Sequence, residues 1–308
     1  MSAGSSPARS RVFWAVLALI GANLFWAGNY IVGESAVQSI DPLSLVFLRW
    51  ALAAVPLLVL AQLIEKPDWR AVLATWRWQL VSSLLGVIGF TLLLYIALQY
   101  TDAFNASLIS AVNPALIVVA AAIVLREKLT PVGIAGVVAA LIGVIVILSG
   151  GDLGRLLTVG FGWGEVLMLG AVLAWTGYSV IGRVAPKTPP IAATAVQVVI
   201  AVVLLAPISF ATGGPKLPQT STALWALLFI ALLPSVGSYL LWNSALTVIP
   251  PSRAGVFLNL ITVFVALFTI VAGHPYTLAQ IIGGVIVTAG VVATNLAGTA
   301  RSRARTQT

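Results

Sequence analysis

Long apolar runs recur along the chain, separated by short breaks that contain polar residues, glycine or proline. Each run is about 20 residues long, which as an α-helix crosses a hydrocarbon core of roughly 30 Å. The runs are continuously apolar instead of alternating, which favours helices over the strands of a membrane barrel. The pattern predicts ten transmembrane helices, called here predicted spans 1 to 10, at residues 12–32, 43–64, 80–97, 104–125, 131–148, 164–181, 191–210, 223–245, 255–272 and 278–296.

The composition agrees with a membrane protein. Of the 308 residues, 60% are hydrophobic and 8% are charged, and the mean hydropathy is +1.08. A soluble domain has about 25% charged residues, so this chain has too few to cover a surface that faces water. The apolar stretch after the basic start is longer than a signal-peptide core and no A-x-A-like site follows it, which predicts that the first helix is retained.

Lysine and arginine are distributed unevenly between the two sides of the predicted spans. If both termini are cytoplasmic, that side holds Arg9, Arg11, Lys66, Arg70, Arg77, Arg126, Lys128, Arg183, Lys187, Arg253, Arg301, Arg303 and Arg305. The opposite side holds Arg155 and Lys216, and Arg49 lies within a span. Positive residues concentrate in cytoplasmic loops, so the sequence predicts a multi-pass protein of the bacterial inner membrane with cytoplasmic N- and C-termini.

An internal repeat divides the spans into two sets of five. Gly21, Trp26 and Gly28 recur 149 residues later as Gly170, Trp175 and Gly177, and Thr130, Gly136 and Gly143 recur 147 residues later as Thr277, Gly283 and Gly290. Five is odd, so the second set enters the membrane from the opposite side and the repeats are inverted, the usual design of secondary transporters. The predicted fold is therefore all-α, with repeats at residues 1–149 and 150–297 and a basic cytoplasmic tail at residues 298–308.

Several motifs occur in an order that is typical of one family. The chain has L-F-W-A-G-N-Y from Leu24, F-L-R-W from Phe47, A-L-Q-Y-T-D-A-F-N-A-S-L from Ala97, and R-E-K-L-T-P from Arg126. With G-V-V-A-A-L-I-G-V in predicted span 5, this pattern resembles the EamA-type repeat of the drug/metabolite transporter superfamily, over about residues 12–297. The second half repeats the pattern more loosely.

The resemblance, which is greatest to bacterial exporters of the YddG type, implies a function. It implies a secondary transporter that exports small metabolites, above all amino acids including aromatic ones, by alternating access around a cavity between the repeats. Exporters of drugs or of other hydrophobic or cationic metabolites are an alternative, and carriers of nucleotide sugars or sugar phosphates fit less well. The halves differ, because the positions of Glu127, Arg49 and Asn113-Pro114 correspond to His274, Gln197 and Ile261-Thr262.

Arg49 is a candidate for substrate binding because it lies about two turns into predicted span 2, on the order of 10 Å below the interface. A charge at that depth must face a bundle interior or a water-filled cavity and needs a partner. The guanidinium could anchor a substrate carboxylate. The alternative is a purely structural pair with a backbone carbonyl, Glu34 or Asp102.

Aromatic and asparagine side chains within the spans are further candidates for the cavity wall. Aromatic rings so deep are not interface anchors and can line a site for apolar or cationic groups, although simple core packing would also place them there. A buried amide needs a partner and often joins two helices, and Pro114 removes a backbone hydrogen bond beside Asn113. With Arg49, the predicted cavity residues are Trp26, Asn29, Tyr30, Tyr95, Asn113, Trp163, Trp175, Tyr178, Tyr239, Trp242 and Asn243; Trp163, at a helix end, is also a candidate belt residue.

Other classes of function lack their signatures. The chain has no cysteine and a single histidine, His274, in a predicted loop, so we expect no enzyme activity, no metal site and no cofactor. The basic residues are scattered and form no nucleic-acid face, no phosphate-binding loop for ATP is present, and no repeated ring of charges suggests a channel. The expected partners are a small-molecule substrate and the lipid bilayer; the oligomeric state stays open.

Overall fold

The computed structural model describes residues 7–124, 126, 131–149, 162–249, 255–273 and 276–305, in which the regular secondary structure is helical. Seven helical segments are at least 18 residues long and apolar enough to cross a membrane. Three shorter apolar helices, Pro131–Ile147, Phe257–Val271 and Leu278–Gly290, bring the spans in this described part of the chain to ten. The prediction of an all-α, ten-span membrane protein is confirmed.

The helices of the first repeat are as follows. Span 1 is α1 (Pro7–Ala36), span 2 is α2 (Pro42–Leu60) with a π-helical end at Ala61–Glu65, and a short helix α3 (Trp69–Ala74) leads to span 3. Span 3 consists of α4 (Trp76–Ser82), a π-helical segment (Ser83–Gly89) and α5 (Phe90–Ala97), span 4 of α6 (Ala103–Ser110) and α7 (Asn113–Val124), and span 5 is α8 (Pro131–Ser149).

The second repeat likewise consists of five spans. Span 6 is α9 (Trp163–Val184) and span 7 is α10 (Pro190–Ala211); span 8 consists of α11 (Ser221–Leu232), a π-helical segment (Leu233–Gly237) and α12 (Ser238–Leu246). Span 9 is a 3-10 segment (Gly255–Asn259) followed by α13 (Leu260–Val271), and span 10 is α14 (Leu278–Arg305). The predicted boundary between the repeats at 149/150, and the positions of Glu127 and His274, adjoin or lie outside the described residues.

Two spans begin directly after a residue whose side chain caps the helix N-terminus. The carboxylate of Asp41 accepts from the Ser44 amide at 3.0 Å, and that of Asp102 accepts from the Asn105 amide at 2.8 Å, so both satisfy donors that a helix N-terminus leaves free. The short helix α3, capped by Asp68, was not predicted. Six residues are too few to give a periodic pattern that the sequence alone would reveal.

The spans pack as a pseudo-symmetric pair of repeats. Span 5 lies along span 10, and span 2 lies along span 7. Span 1 packs on spans 8 and 9, and in the same way span 6 packs on spans 3 and 4. These main inter-repeat contacts thus correspond to one another under exchange of the repeats. The region enclosed by spans 1, 3, 4, 6, 8 and 9 is where a central cavity can form.

Glycines allow spans 5 and 10 to touch along their backbones. A Cβ atom placed on Gly143 would lie 2.7 Å from the carbonyl oxygen of Gly283 and from the amide nitrogen of Val287. A Cβ on Gly290 would lie 2.6 Å from the amide nitrogen of Ala140. The glycine pairs seven residues apart therefore serve the packing of one repeat on the other, as small residues do at helix contacts in membranes.

Candidate functional site

A cavity of about 110 Å³ lies between the repeats. At 10–15 Å³ for each water, this space holds roughly eight water molecules or a group of similar size. Spans 1, 2, 3, 4, 6, 8 and 9 all contribute side chains, so the cavity is at the centre of the bundle. Its wall consists of Trp26, Asn29, Tyr30, Arg49, Trp50, Gly86, Phe90, Thr91, Ser107, Ser110, Ala111, Asn113, Pro114, Ile117, Trp175, Pro234, Tyr239, Leu258, Asn259, Ile261 and Thr262.

The wall follows the internal repeat. Trp26 of span 1 and Trp175 of span 6 are both part of it and are 149 residues apart. Further wall positions are related by an offset of 148 residues: Gly86 with Pro234, Thr91 with Tyr239, Ser110 with Leu258, Ala111 with Asn259, Asn113 with Ile261, and Pro114 with Thr262. The cavity therefore lies on the pseudo-two-fold axis, where inverted-repeat transporters have their substrate sites.

Four spans depart from regular α-helix where they pass the cavity. The π-helical segments Ser83–Gly89 and Leu233–Gly237 contribute Gly86 and Pro234 to the wall. Span 4 is interrupted between α6 and α7, directly before Asn113 and Pro114, and span 9 begins as a 3-10 helix. Such segments are frequent at functional sites, and within a membrane they are tolerated where the backbone lines a cavity or is buried in protein.

Arg49 is held at the cavity wall by a network of neutral groups. Its Nε and Nη2 atoms donate to Ser235 Oγ at 3.1 and 2.7 Å, and Ser235 Oγ in turn donates to the Ile230 carbonyl. Its Nη1 atom donates to the hydroxyl of Tyr95 and, at 3.4 Å, to Asn29 Oδ1, which also accepts from the Tyr95 hydroxyl at 2.7 Å. The guanidinium also lies 4.4 Å from the ring centroid of Trp50, within cation–π range.

The two carboxylates expected as structural partners of Arg49 are engaged elsewhere. Glu34 accepts a hydrogen bond from the Ala103 amide at 3.1 Å, and Asp102 caps α6. Among the described residues, the hydrogen bonds of Arg49 thus go to neutral side chains alone, and this residue, 4% exposed, has no carboxylate as a hydrogen-bond partner there.

Two clusters of aromatic rings flank the cavity, and each combines residues of both repeats. In the first, the ring centroid of Trp26 lies 6.0 Å from that of Tyr239 and 5.6 Å from that of Trp242. In the second, the centroid of Trp175 lies 5.0 Å from that of Phe90 and 5.1 Å from that of Tyr178. Ring pairs at these separations are mutually stabilising, so the clusters give the cavity two apolar sides.

Most of the predicted site residues surround this cavity, at different depths. The structure places Trp26, Asn29, Tyr30, Arg49, Asn113, Trp175 and Tyr239 in its wall. Behind the wall lie Tyr95, bonded to Arg49, Tyr178, packed on Trp175, and Trp242, packed on Trp26.

Two predicted residues lie away from the cavity wall. Trp163 begins span 6 with 73% of its surface exposed, as a belt residue would, and the half-buried Asn243 lies on α12 outside the wall. Their sequence signal was an aromatic ring or amide near a span, which does not report the direction in which the side chain points.

Sequence reasoning did not select several wall residues. Trp50, Ser107, Ser110, Asn259 and Thr262 all line the cavity. Hydroxyl residues are common in membrane helices as local backbone donors, so their presence carries no distinct signal. Asn259 does carry a sequence signal, because an amide within a span needs a partner. In the structure its Nδ2 is buried without a hydrogen-bond partner among the described residues.

Hydrogen bonds join the helices around the cavity, both within the first repeat and between the repeats. Tyr30 and Ser110 share a hydrogen bond of 2.7 Å between spans 1 and 4 of the first repeat. Thr176 of span 6 donates to Asn113 Oδ1 at 3.1 Å, and Thr262 of span 9 donates to the carbonyl of Ser107 at 3.2 Å. Span 4 is therefore tied to spans 6 and 9, two of the three cavity-lining spans of the second repeat. Within the described residues, no group of three or more histidine, cysteine, aspartate or glutamate side chains could hold a metal ion.

Comparison with known proteins gives the same pattern for both halves. The model of the EamA-like transporter family matches residues 13–149 and again residues 162–296. The uncharacterized transporter YyaM of Bacillus subtilis is 29% identical over 280 residues, which cover 89% of this chain and 91% of YyaM. An uncharacterized transporter of Archaeoglobus fulgidus is 30% identical over 275 residues, or 88% of this chain and 93% of its own.

Two further matches concern location and fold. The inner membrane transporter YhbE of Escherichia coli K12 is 23% identical over 180 residues, which cover 55% of this chain and 54% of YhbE. A protein of known crystal structure superposes with a TM-score of 0.65 at 20% identity, over 92% of this chain and 97% of the other. At that identity the likeness shows the fold alone.

Proposed function

This chain belongs to the EamA-like transporter family, and from that premise we propose that its central cavity carries small metabolites, above all amino acids including aromatic ones, by alternating access. It is a membrane transporter and not an enzyme. The observation that carries the proposal is the cavity wall, which repeat-related residues of both halves build on the pseudo-two-fold axis. Two aromatic clusters supply apolar walls and Arg49 supplies a charge for a polar end.

The charge of the wall favours amino acids over phosphorylated substrates. A nucleotide sugar or sugar phosphate brings at least two negative charges, and basic side chains usually neutralise them. Arg49 is the single lysine or arginine in the described wall. Drugs or other hydrophobic cations fit the aromatic rings, but they would have to enter beside the buried guanidinium. Export is the direction that the YddG resemblance suggests.

Counterflow in proteoliposomes tests the proposal. Vesicles that contain the full chain and are loaded with unlabelled phenylalanine are expected to accumulate labelled phenylalanine transiently, because a carrier exchanges internal for external substrate. The same vesicles without internal substrate are the control. Linear flux that does not saturate and shows no counterflow would contradict a carrier mechanism.

A single cysteine in the wall shows whether substrate occupies the cavity. The chain has no native cysteine, so a Ser110→Cys variant has one thiol, which faces the cavity. We expect a charged methanethiosulfonate to label it and phenylalanine to slow the labelling several-fold. Ser209→Cys is the matched control, since Ser209 is 1% exposed and lies away from the wall; equal labelling of both variants, or no protection by substrate, would contradict this site.

The distribution of lysine and arginine also supports a proposed orientation, with both termini in the cytoplasm of a bacterial cell. Alkaline phosphatase fused to the C-terminus is then expected to be inactive, because the enzyme matures only outside the cytoplasm. A fusion after Lys216, in the loop between spans 7 and 8, is expected to be active. The opposite result for this pair would reverse the orientation.

A further inference from the structure

The charge of the cavity wall is one-sided. Arg49 is the single aspartate, glutamate, lysine or arginine among the described wall residues. The carboxylates of Glu34 and Asp102 bind backbone amides at the start of span 4 and are not part of the wall. The wall therefore offers a positive charge without a negative one.

The neighbours of Arg49 position its guanidinium without neutralising it. Asn29, Tyr95 and Ser235 accept hydrogen bonds, and the rings of Trp50 and Tyr95 lie 4.4 and 5.5 Å from the guanidinium carbon. A buried cation that is hydrogen-bonded to neutral groups alone still lacks a counter-charge, and at low dielectric this is costly. An anionic ligand removes that cost, so its binding is favoured beyond the contacts of its apolar part.

Donors for such an anion remain at the wall. Nη2 of Arg49 carries two hydrogens, and Ser235 Oγ is its acceptor among the described residues. Asn29 also lines the cavity, and its oxygen is taken by Arg49 and Tyr95, which directs its amide nitrogen to other acceptors. Arg49 and Asn29 are hydrogen-bonded to each other and both line the cavity, so a charged N–H of the first and an amide N–H of the second can serve the two oxygens of a carboxylate.

An ammonium group finds no comparable partner. The described wall has no carboxylate, and a second cation near Arg49 would be repelled at low dielectric. We propose that the cavity recognises organic monocarboxylates with an aromatic or apolar body, with Arg49 binding the carboxylate and with the ammonium group of an amino acid adding nothing to affinity. This inference rests on the proposed function, because it places the ligand in the same cavity.

Three ligands that share a phenyl ring and differ in charge test the inference: phenylpropionate (an anion), phenylalanine (a zwitterion) and phenethylamine (a cation). Trp26 and Trp175 line the cavity, so tryptophan fluorescence of the purified full chain in detergent reports binding without interference from phenyl ligands. Phenylpropionate is expected to bind at least as tightly as phenylalanine, and both about 10-fold or more tightly than phenethylamine, as expected for a hydrogen bond to a charged group.

Variants of Arg49 connect this order of affinities with the guanidinium. Arg49→Gln is expected to weaken phenylpropionate binding about 10- to 100-fold and to leave phenethylamine unchanged or bound more tightly. Arg49→Lys keeps the charge but loses the paired donors, so an intermediate loss is expected, and it serves if the glutamine variant does not fold. Arg77→Gln, which replaces an exposed arginine at the start of span 3, is the matched control.

The possible results separate the inference from the proposed function. Tighter binding of phenylalanine than phenylpropionate, or equal loss for all three ligands in Arg49→Gln, overturns the inference, even where counterflow of phenylalanine persists. The predicted order of affinities without any counterflow in proteoliposomes supports the inference and contradicts the proposed transport. No fluorescence response to any of the three ligands overturns the inference as well.

Discussion

Replacing Gly143 by leucine is expected to prevent spans 5 and 10 from packing together and to leave little folded protein. The first side-chain atom alone would lie 2.7 Å from two backbone atoms of span 10, the Gly283 carbonyl oxygen and the Val287 amide nitrogen. Overpacking costs about 1–3 kcal/mol where side chains can rearrange. Backbone atoms of a helix cannot rotate away, so we expect a destabilisation at or above the upper end of that range.

Size-exclusion profiles and thermal melting of the purified protein in detergent measure this effect. The matched control is Gly182→Leu in span 6, because a Cβ on Gly182 meets no atom within 4 Å. The control is expected to elute and melt like the unchanged protein. A Gly143→Leu protein that is as stable as the Gly182→Leu protein would mean that spans 5 and 10 do not touch along this face.

Replacing Trp175 by alanine is expected to weaken substrate binding about 10- to 100-fold. Trp175 lines the cavity and its ring packs on Phe90 and Tyr178. Removing it deletes a wall against the apolar body of a ligand, and burial of an aromatic side chain or ring is worth about 1.5–3 kcal/mol. The apparent affinity in counterflow, or the fluorescence titration with Trp26 as reporter, measures the change.

Trp163 provides the matched control on the same span. It has the same side chain but is 73% exposed at the helix end, so Trp163→Ala is expected to change affinity less than two-fold. If both alanine variants lose affinity equally, the effect comes from the folding of span 6 and not from the cavity wall. If Trp163→Ala alone loses affinity, the substrate site lies at the end of the span.

The two repeats contribute different side chains to the cavity wall. The wall has an aromatic residue from each half, Trp26 in span 1 and Trp175 in span 6. The cation is not repeated. Arg49 lines the cavity, whereas its counterpart Gln197 lies outside the wall and donates to Gln79 at 2.8 Å. Because the two halves share aromatic residues but differ in charge, the cavity has one polar and one apolar end. A symmetric scaffold thereby holds its substrate in one orientation.

Span counts and the inverted repeat could be predicted because each depends on local properties of the chain. Apolar length decides whether a segment crosses lipid, and the near-constant offset of Trp26 and Trp175 reveals a repeat without any knowledge of contacts. Arg49 was likewise identifiable, since a charge deep in an apolar span is costly wherever it points.

The direction of individual side chains could not be predicted in the same way. In a helix of a soluble protein, apolar residues recur every three to four positions and so identify the buried face. A helix in lipid is apolar all round, so Tyr95, behind Arg49, and Tyr30, in the wall, look alike in the sequence. Trp163 and Trp175 look alike too, although one is exposed at a helix end and the other lines the cavity.

The sequence by itself therefore determined the class of protein, the ten spans, the two repeats and the presence of one buried charge. Only the tertiary structure decided what surrounds that charge. Ser235, which accepts two hydrogen bonds from Arg49, is 186 residues away in the chain, and the π-helical segment that places it depends on how span 8 packs against spans 1 and 2. Contacts between distant helices arise from packing, and the apolar pattern that inserts each helix into lipid carries no record of them.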